Sequence, residues 1–188
     1  MLSVLDQAKS LTEEILSDGD IAVDATLGNG YDAVHLARQV APTGRLFGVD
    51  LQEEAIVRSR ERLSSEGLEK SVSLIRGNHA SLLRLLPSAI VGRVGAVMFN
   101  LGYLPGGDRT APTRAETTIP AIQQAVDLLQ PCGRMTIVLY RGHPEGPPEY
   151  RAVLEAVREW DQRNLEVLHY RFINQVHQPP ELLVIEKL

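Results

Sequence analysis

Ile21-Ala22-Val23-Asp24-Ala25-Thr26-Leu27-Gly28-Asn29-Gly30 decides the fold. A short apolar run closes on an acid, and two glycines then lead into a helical pattern from about Tyr31 to Ala41. Gly28 permits a tight turn, and Gly30 lets a ligand approach the backbone and a helix N-terminus. Asp50 comes twenty residues after Gly30 and ends the strand pattern Arg45 to Val49. A carboxylate there can take both hydroxyls of an adenosine ribose. A glycine pair alone says little. Glycine pair, strand context and acid together point to an adenosine-containing cofactor.

Gly28-Asn29-Gly30-Tyr31-Asp32-Ala33 also satisfies the G-x-G-x-x-A dinucleotide pattern. Asp24, just upstream, suits the ammonium of an amino-acid moiety and does nothing for a pyrophosphate. The chain also ends in a predicted hairpin, with no second domain for a hydride acceptor. S-adenosylmethionine (SAM) is therefore the expected cofactor, with a dinucleotide as the alternative.

Outward from this loop, strand and helix patterns alternate. Val4 to Leu16 is helical and stops at Ser17-Asp18-Gly19, and Glu53 to Glu66 is helical and stops at Gly67. Val72 to Ile75 and Val94 to Phe99 read as strands, with a short helix over Leu82 to Leu86 between them. A polar segment, Leu101 to about Glu116, precedes a helix expected to be capped by Thr117 or Thr118, with Pro120 in its first turn. Met135 to Tyr140 is a fifth strand and Tyr150 to Asn164 a further helix. Leu165 to Phe172 and Leu182 to Leu188 close the chain as two strands joined through Pro179-Pro180. Alternation predicts a mostly parallel seven-stranded α/β sheet with helices on both faces, and the helix-free last link predicts a C-terminal antiparallel hairpin. One domain over residues 1–188 is expected.

In such a sheet, ligands bind beyond the carboxyl ends of the strands. Asp24, Asp50 with Gln52, Asn78-His79, Asn100, Tyr140-Arg141-Gly142-His143 and Asn174-Gln175-Val176-His177 all follow strand ends. Gln52, Asn78 and His79 would face ribose and adenine. Asn100-Leu101-Gly102-Tyr103-Leu104-Pro105 is a poor core sequence and a good grip for a flat, amine-bearing group. The Asn100 side-chain oxygen can accept from an amine, Gly102 allows close approach and Tyr103 can stack on a ring. Asp108, His143 and His177 are the candidates to take a proton from that amine. His35 and His169 fall inside elements and read as structural.

Composition bounds the rest. A chain of 188 residues with 44% hydrophobic and 23% charged residues is ordinary globular protein. A net charge of −5 argues against broad binding along a nucleic-acid backbone but leaves local recognition of one nucleotide open. The basic residues are 16 arginines against 3 lysines, which favours planar bidentate contacts. No apolar stretch is long enough for a membrane span, the N-terminus lacks a signal-peptide pattern, and Cys132 is the one cysteine. A cytoplasmic location is expected. No His, Cys or carboxylate spacing suggests a metal site.

These motifs resemble class I SAM-dependent methyltransferases, and more specifically the MnmM/YtqB family. The resemblance covers nearly the whole chain. It rests on Asp24-Ala-Thr-Leu-Gly-Asn-Gly30, Asp50-Leu-Gln52, Asn78-His79 and Asn100-Leu-Gly-Tyr-Leu-Pro-Gly-Gly-Asp108, with Thr117-Thr-Ile119, Tyr140-Arg-Gly-His143, Asn174-Gln175 and Pro179-Pro180. It implies a Rossmann-like fold and a cofactor set of Asp24, Thr26, Gly28, Asn29, Gly30, Asp32, Asp50, Gln52, Asn78 and His79. Asn100 and Tyr103 would be catalytic. Gly102, Asp108, Arg109, Arg114, Tyr140, Arg141, His143, Asn174 and His177 would meet substrate. The implied reaction methylates the amine of 5-aminomethyl-2-thiouridine at the tRNA wobble position, with the anticodon loop as partner. A homodimer is compatible with the sequence without being required by it. The competing readings are methylation of rRNA, protein or a small-molecule amine, and a non-catalytic adenosyl-ligand or NAD-binding module.

Overall fold

The structure, a computed structural model, describes residues 1–104, 106 and 112–188. Seven strands of the described residues form one sheet: β1 (Ile21–Asp24), β2 (Arg45–Asp50), β3 (Val72–Arg76), β4 (Val94–Asn100), β5 (Leu129–Leu139), β6 (Leu165–Tyr170) and β7 (Glu181–Lys187). Their order is β3-β2-β1-β4-β5-β7-β6. β1 to β5 pair in parallel, and β7 runs antiparallel to both β5 and β6. The expected α/β sheet with a C-terminal antiparallel pair is thus present.

Among the described residues, six α-helices cover the sheet: α1 (Val4–Glu13), α2 (Tyr31–Val40), α3 (Glu53–Ser65), α4 (Leu82–Leu85), α5 (Ala115–Leu128) and α6 (Gly146–Arg158). Successive strand side chains point to opposite faces, and β4 divides its buried residues accordingly. Val97 and Phe99 join Leu82, Ile122 and Val153 on the α4–α5–α6 face. Ala96 and Met98 join Ala8, Leu36 and Ile56 on the α1–α2–α3 face. A strand buried on both sides must be apolar throughout, which is why β4 is buried from Val94 to Phe99 and turns polar only at Asn100.

Several boundaries differ from the expected ones. α5 begins at Ala115, with Arg114 in the capping position and no side-chain cap. Neither threonine serves as the cap: Thr117 Oγ1 bonds the Arg114 carbonyl and Thr118 Oγ1 bonds Glu149. Pro120 therefore lies past the first turn. β5 starts at Leu129 because Leu129 pairs with Val94 before the register shifts and resumes at Ala96 with Arg134. Pro131-Cys132-Gly133 lies in that shift, with Cys132 at φ 61°. α6 starts earlier than expected, at Gly146, since Pro147 and Pro148 suit a helix's first turn. It ends at Arg158, and α1 ends at Glu13, each short of its expected end. Among the described residues, no helix is long and apolar enough to cross a membrane.

Candidate active site

Beyond the carboxyl ends of β1 to β5 opens a cleft of about 940 Å³. Its floor is the glycine loop. Gly30 occupies the left-handed region at φ 78° and starts α2, and a Cβ there would lie 2.9 Å from the Ser59 Cα on α3. Asp50 holds the loop from the next strand. Its Oδ2 accepts from the Gly28 N–H and its Oδ1 from the Gln52 N–H, each at 2.9 Å. Each oxygen keeps a second lone pair for a hydroxyl donor in the cleft. Burial pushes the Asp50 carboxyl up, while the Gln52 and Gly28 N–H donors pull it down.

Asp24 sits beneath this floor, 1% exposed, and does not line the cleft. Its Oδ1 accepts from the Thr26 N–H at 3.1 Å, and its Oδ2 has no hydrogen-bond partner among the described residues. Burial, and then the nearby Asp32 charge, raise this carboxyl well above the usual carboxylate range. A buried carboxylate with an open lone pair is matched to a cationic ligand group and mismatched to a phosphate. Asp24→Asn is therefore expected to stabilise the ligand-free protein at neutral pH. The sign follows from linkage: with the folded-state pKa raised, stability is fully present below the unfolded value and is lost as pH rises through the folded one. The Tm advantage of the variant should widen as pH rises above the usual carboxylate range in thermal melts; an advantage that shrinks as pH rises contradicts it.

Asn100 ends β4 at the centre of the cleft. Its backbone N–H donates to Thr26 Oγ1 at 2.7 Å, and its Nδ2 donates to Asp32 Oδ2 at 3.3 Å. Lys9 of α1 pairs with the other Asp32 oxygen at 3.4 Å. A carboxylate only accepts, so Asp32 fixes which end of the Asn100 amide it meets and leaves Oδ1 as the end for a ligand. Beyond Asn100, Gly102 (φ 138°) and the half-exposed Tyr103 form the rim, and the Tyr103 ring meets His143 edge-on at 6.0 Å. The His143 Nε2 is buried without a hydrogen-bond partner among the described residues, and burial lowers the imidazole below its usual range. Opposite, His79 bonds Thr117 Oγ1 through Nε2 at 3.3 Å and meets Phe99 edge-on at 6.1 Å. Burial pushes it down to about 4, so the ring is neutral at pH 7. Asn78 Oδ1 accepts from the Ala80 N–H at 2.9 Å, leaving the amide nitrogen of Asn78 for a ligand.

Most residues expected at the site meet here. Thr26, Gly28, Asn29, Asp32, Asp50, Gln52, Asn78, His79, Asn100, Gly102, Tyr103, Arg114, Tyr140 and His143 all line the cleft. Asn29 has its side chain engaged by Arg58 Nη1 at 3.0 Å, so its part is shared with α3. Arg58 also reaches the Gly106 carbonyl at 3.0 Å, and Arg62 bonds the Asn29 carbonyl while lying over the Tyr31 ring. Arg141 is not in the cleft: Glu181 holds its Nη2 at 2.6 Å and it lies over the Tyr150 ring. His177 lines a separate shallow groove beside Arg141 and His143, with its backbone at φ 66°. Asn174 is exposed on the β6–β7 connection and lines neither. Asp108 and Arg109, like Pro105, lie outside the described residues. Lys9 and Leu5 line the cleft from α1, and Thr113 lines it from just before α5. Sequence reading missed all three, because no spacing ties α1 or Thr113 to the strand ends.

With the geometry in hand, comparisons with known proteins identify the lineage. The family described as "Putative rRNA methylase" matches residues 46–186, well over half of the chain. The chain belongs to this family. A Clostridium thermocellum protein of the same designation superposes with a TM-score of 0.95 at 40% identity, over 100% of this chain and 99% of that one. A Streptococcus mutans methyltransferase crystallised with SAH superposes with a TM-score of 0.90 at 34% identity, over 100% and 99%. A chloroplastic tRNA (mnm5s2U34)-methyltransferase of Arabidopsis thaliana is 34% identical over 149 residues, 75% of this chain and 54% of that protein. This chain spans about half the length of that relative. The fold of the family member described here is that of class I methyltransferases.

Proposed function

We propose that the protein is a SAM-dependent RNA methyltransferase acting on the amine of 5-aminomethyl-2-thiouridine at the tRNA wobble position. The observation that carries this reading is the Asn100 amide, fixed by Asp32 and Thr26 so that an acceptor oxygen is left at the heart of an acid-lined cleft. Support for the cofactor comes from the Asp50-braced glycine loop, the unpartnered Asp24 Oδ2 and the SAH-bound relative. Support for tRNA comes from the Arabidopsis relative.

In this reading Asp50 takes the ribose hydroxyls, and Gln52, Asn78 and His79 border the adenine. Thr26, Gly28, Asn29 and Gly30 shape the floor, and Asp24 supplies negative charge beneath it. When bound, SAM supplies a methyl group on a positively charged sulfur. Asn100 Oδ1 accepts a hydrogen from the amine and so directs the nitrogen lone pair for in-line attack, where alignment supplies much of the rate. The N–C bond forms as the C–S bond breaks, and the surplus amine proton leaves through a base or water. Of the candidates for that base among the described residues, His143 lines the cleft, and burial lowers its imidazole below the usual range. Tyr103 at the rim offers a face for the base, Gly102 gives it room, and Tyr140 closes the far wall. Arg114 at the cleft edge, with Asn174 and His177 on the adjoining surface, is available to anticodon-loop phosphates and bases, while Arg141 beside them is held by Glu181.

The test is mass spectrometry of tRNA nucleosides from a deletion strain that has no second enzyme for this step. The 5-methylaminomethyl-2-thiouridine should vanish and its aminomethyl precursor accumulate; an unchanged level sinks the reading. Relatives named ribosomal RNA small subunit methyltransferase H, such as one from Desulfosudis oleivorans at 36% identity over 52% of this chain, motivate a second arm. Purified protein should methylate amine-bearing tRNA and leave ribosomal RNA unmodified. Calorimetry against SAM, SAH and NAD separates both from a dinucleotide-binding module.

A further inference from the structure

Glu149 lies on α6, apart from the strand ends, and is 2% exposed. Its Oε1 accepts from Thr118 Oγ1 at 2.6 Å and its Oε2 from Thr113 Oγ1 at 2.8 Å. Thr113 Oγ1 in turn accepts from the Gly102 N–H at 2.8 Å, and the Thr113 N–H donates to the Gly102 carbonyl at 2.7 Å. The direction of this relay is forced. A threonine hydroxyl has one hydrogen, and with the Gly102 N–H on its lone pair that hydrogen goes to the carboxylate.

Burying a carboxylate on two hydroxyl donors is costly, and an apolar side chain would fill the same space at less cost. What the carboxylate achieves is to fasten three elements at one point: α6 through Glu149, the start of α5 through Thr118, and the segment after β4 through Thr113 and Gly102. Gly102 stands between Asn100 and Tyr103, the two residues assigned to the acceptor amine and its base.

We propose that Glu149 is a positioning residue that, through Thr113, holds Gly102 and thereby sets where the acceptor amine sits relative to Asn100. This rests on the amine-methyltransferase reading above. Neither Glu149 nor Thr118 lines the cleft, and the relay reaches it at Thr113 and Gly102, on the acceptor side. Its loss should therefore appear in turnover and in the KM for tRNA, and not in cofactor affinity.

The experiment uses Thr113→Val, Thr113→Ser and Glu149→Gln in the full chain. Thr113→Val keeps shape but leaves both Gly102 N–H and Glu149 Oε2 unpaired, and should lower kcat by about 10-fold or more with SAH affinity within about twofold. Thr113→Ser retains the hydroxyl and should return kcat to within about threefold of wild type. Glu149→Gln keeps the Thr118 bond but turns an N–H towards Thr113, and should fall between the two. A Thr113→Val protein with kcat within twofold of wild type overturns the proposal. So does a kcat loss matched by an equal loss of SAH affinity, or a serine variant as impaired as the valine. Hydrogen exchange of the Gly102 amide keeps the test separate from the functional reading. If wild type fails to methylate amine-bearing tRNA, the reading fails by itself, while unchanged Gly102 protection in Thr113→Val overturns the relay whatever the substrate.

Discussion

Asn100→Ala is expected to lower kcat on amine-bearing tRNA by about 100-fold or more while SAH affinity changes by less than about threefold. The alanine keeps the backbone N–H that donates to Thr26, so the end of β4 should hold its place. Only the amide is lost, and with it the acceptor that aligns the attacking nitrogen. Asp32 would keep its Lys9 partner, which limits the stability cost of the lost Nδ2 bond. Single-turnover kinetics with saturating SAM measure the effect, and calorimetry with SAH supplies the control. Equal losses in turnover and SAH affinity would return Asn100 to the cofactor site and remove the central support for the amine reading. Asn100→Asp is a sharper companion: it sets a second carboxylate against Asp32 and should do no better than alanine.

Asp50→Asn is expected to weaken SAM binding by about 100-fold. The two Asp50 oxygens accept from the Gly28 and Gln52 N–H groups, one each. An asparagine has one oxygen, so its NH2 must face one of those donors, and the glycine loop loses a brace as well as a ribose acceptor. Stability is the poorer readout. Burial already raises the Asp50 carboxyl, so removing the charge returns part of what the lost hydrogen bond costs. Calorimetric titration with SAM at low salt checks the prediction. A change of threefold or less would make Asp50 a loop brace with no direct part in binding.

How much of this was legible in sequence depended on how local each signal was. Glycine loop, acid-terminated second strand and unbroken apolar run of β4 each carry their meaning in a few adjacent residues. Strand order then carried Asn78, His79, Asn100, Tyr140 and His143 to one rim with no knowledge of packing. Arg141 went astray because its partner, Glu181, lies forty residues on at the start of β7, and the pair forms only once β7 is inserted between β5 and β6. The start of α5 was misjudged for the same kind of reason. Thr118 is a good capping residue in isolation, but in the folded chain its hydroxyl is claimed by Glu149 from a helix not yet in view. Lys9 and Glu149 had no local pattern at all, since each matters only through what it touches.

The paired bonds between Gly102 and Thr113 close the ten residues between them into a loop whose two feet are fixed on the sheet side. Closing a loop costs entropy that grows only slowly with length, about 0.6 kcal/mol for each doubling. The same span is tied down again where Arg58 bridges the Asn29 side chain and the Gly106 carbonyl. A change of length between the feet would therefore be felt at the glycine loop as well as at the mouth of the cleft.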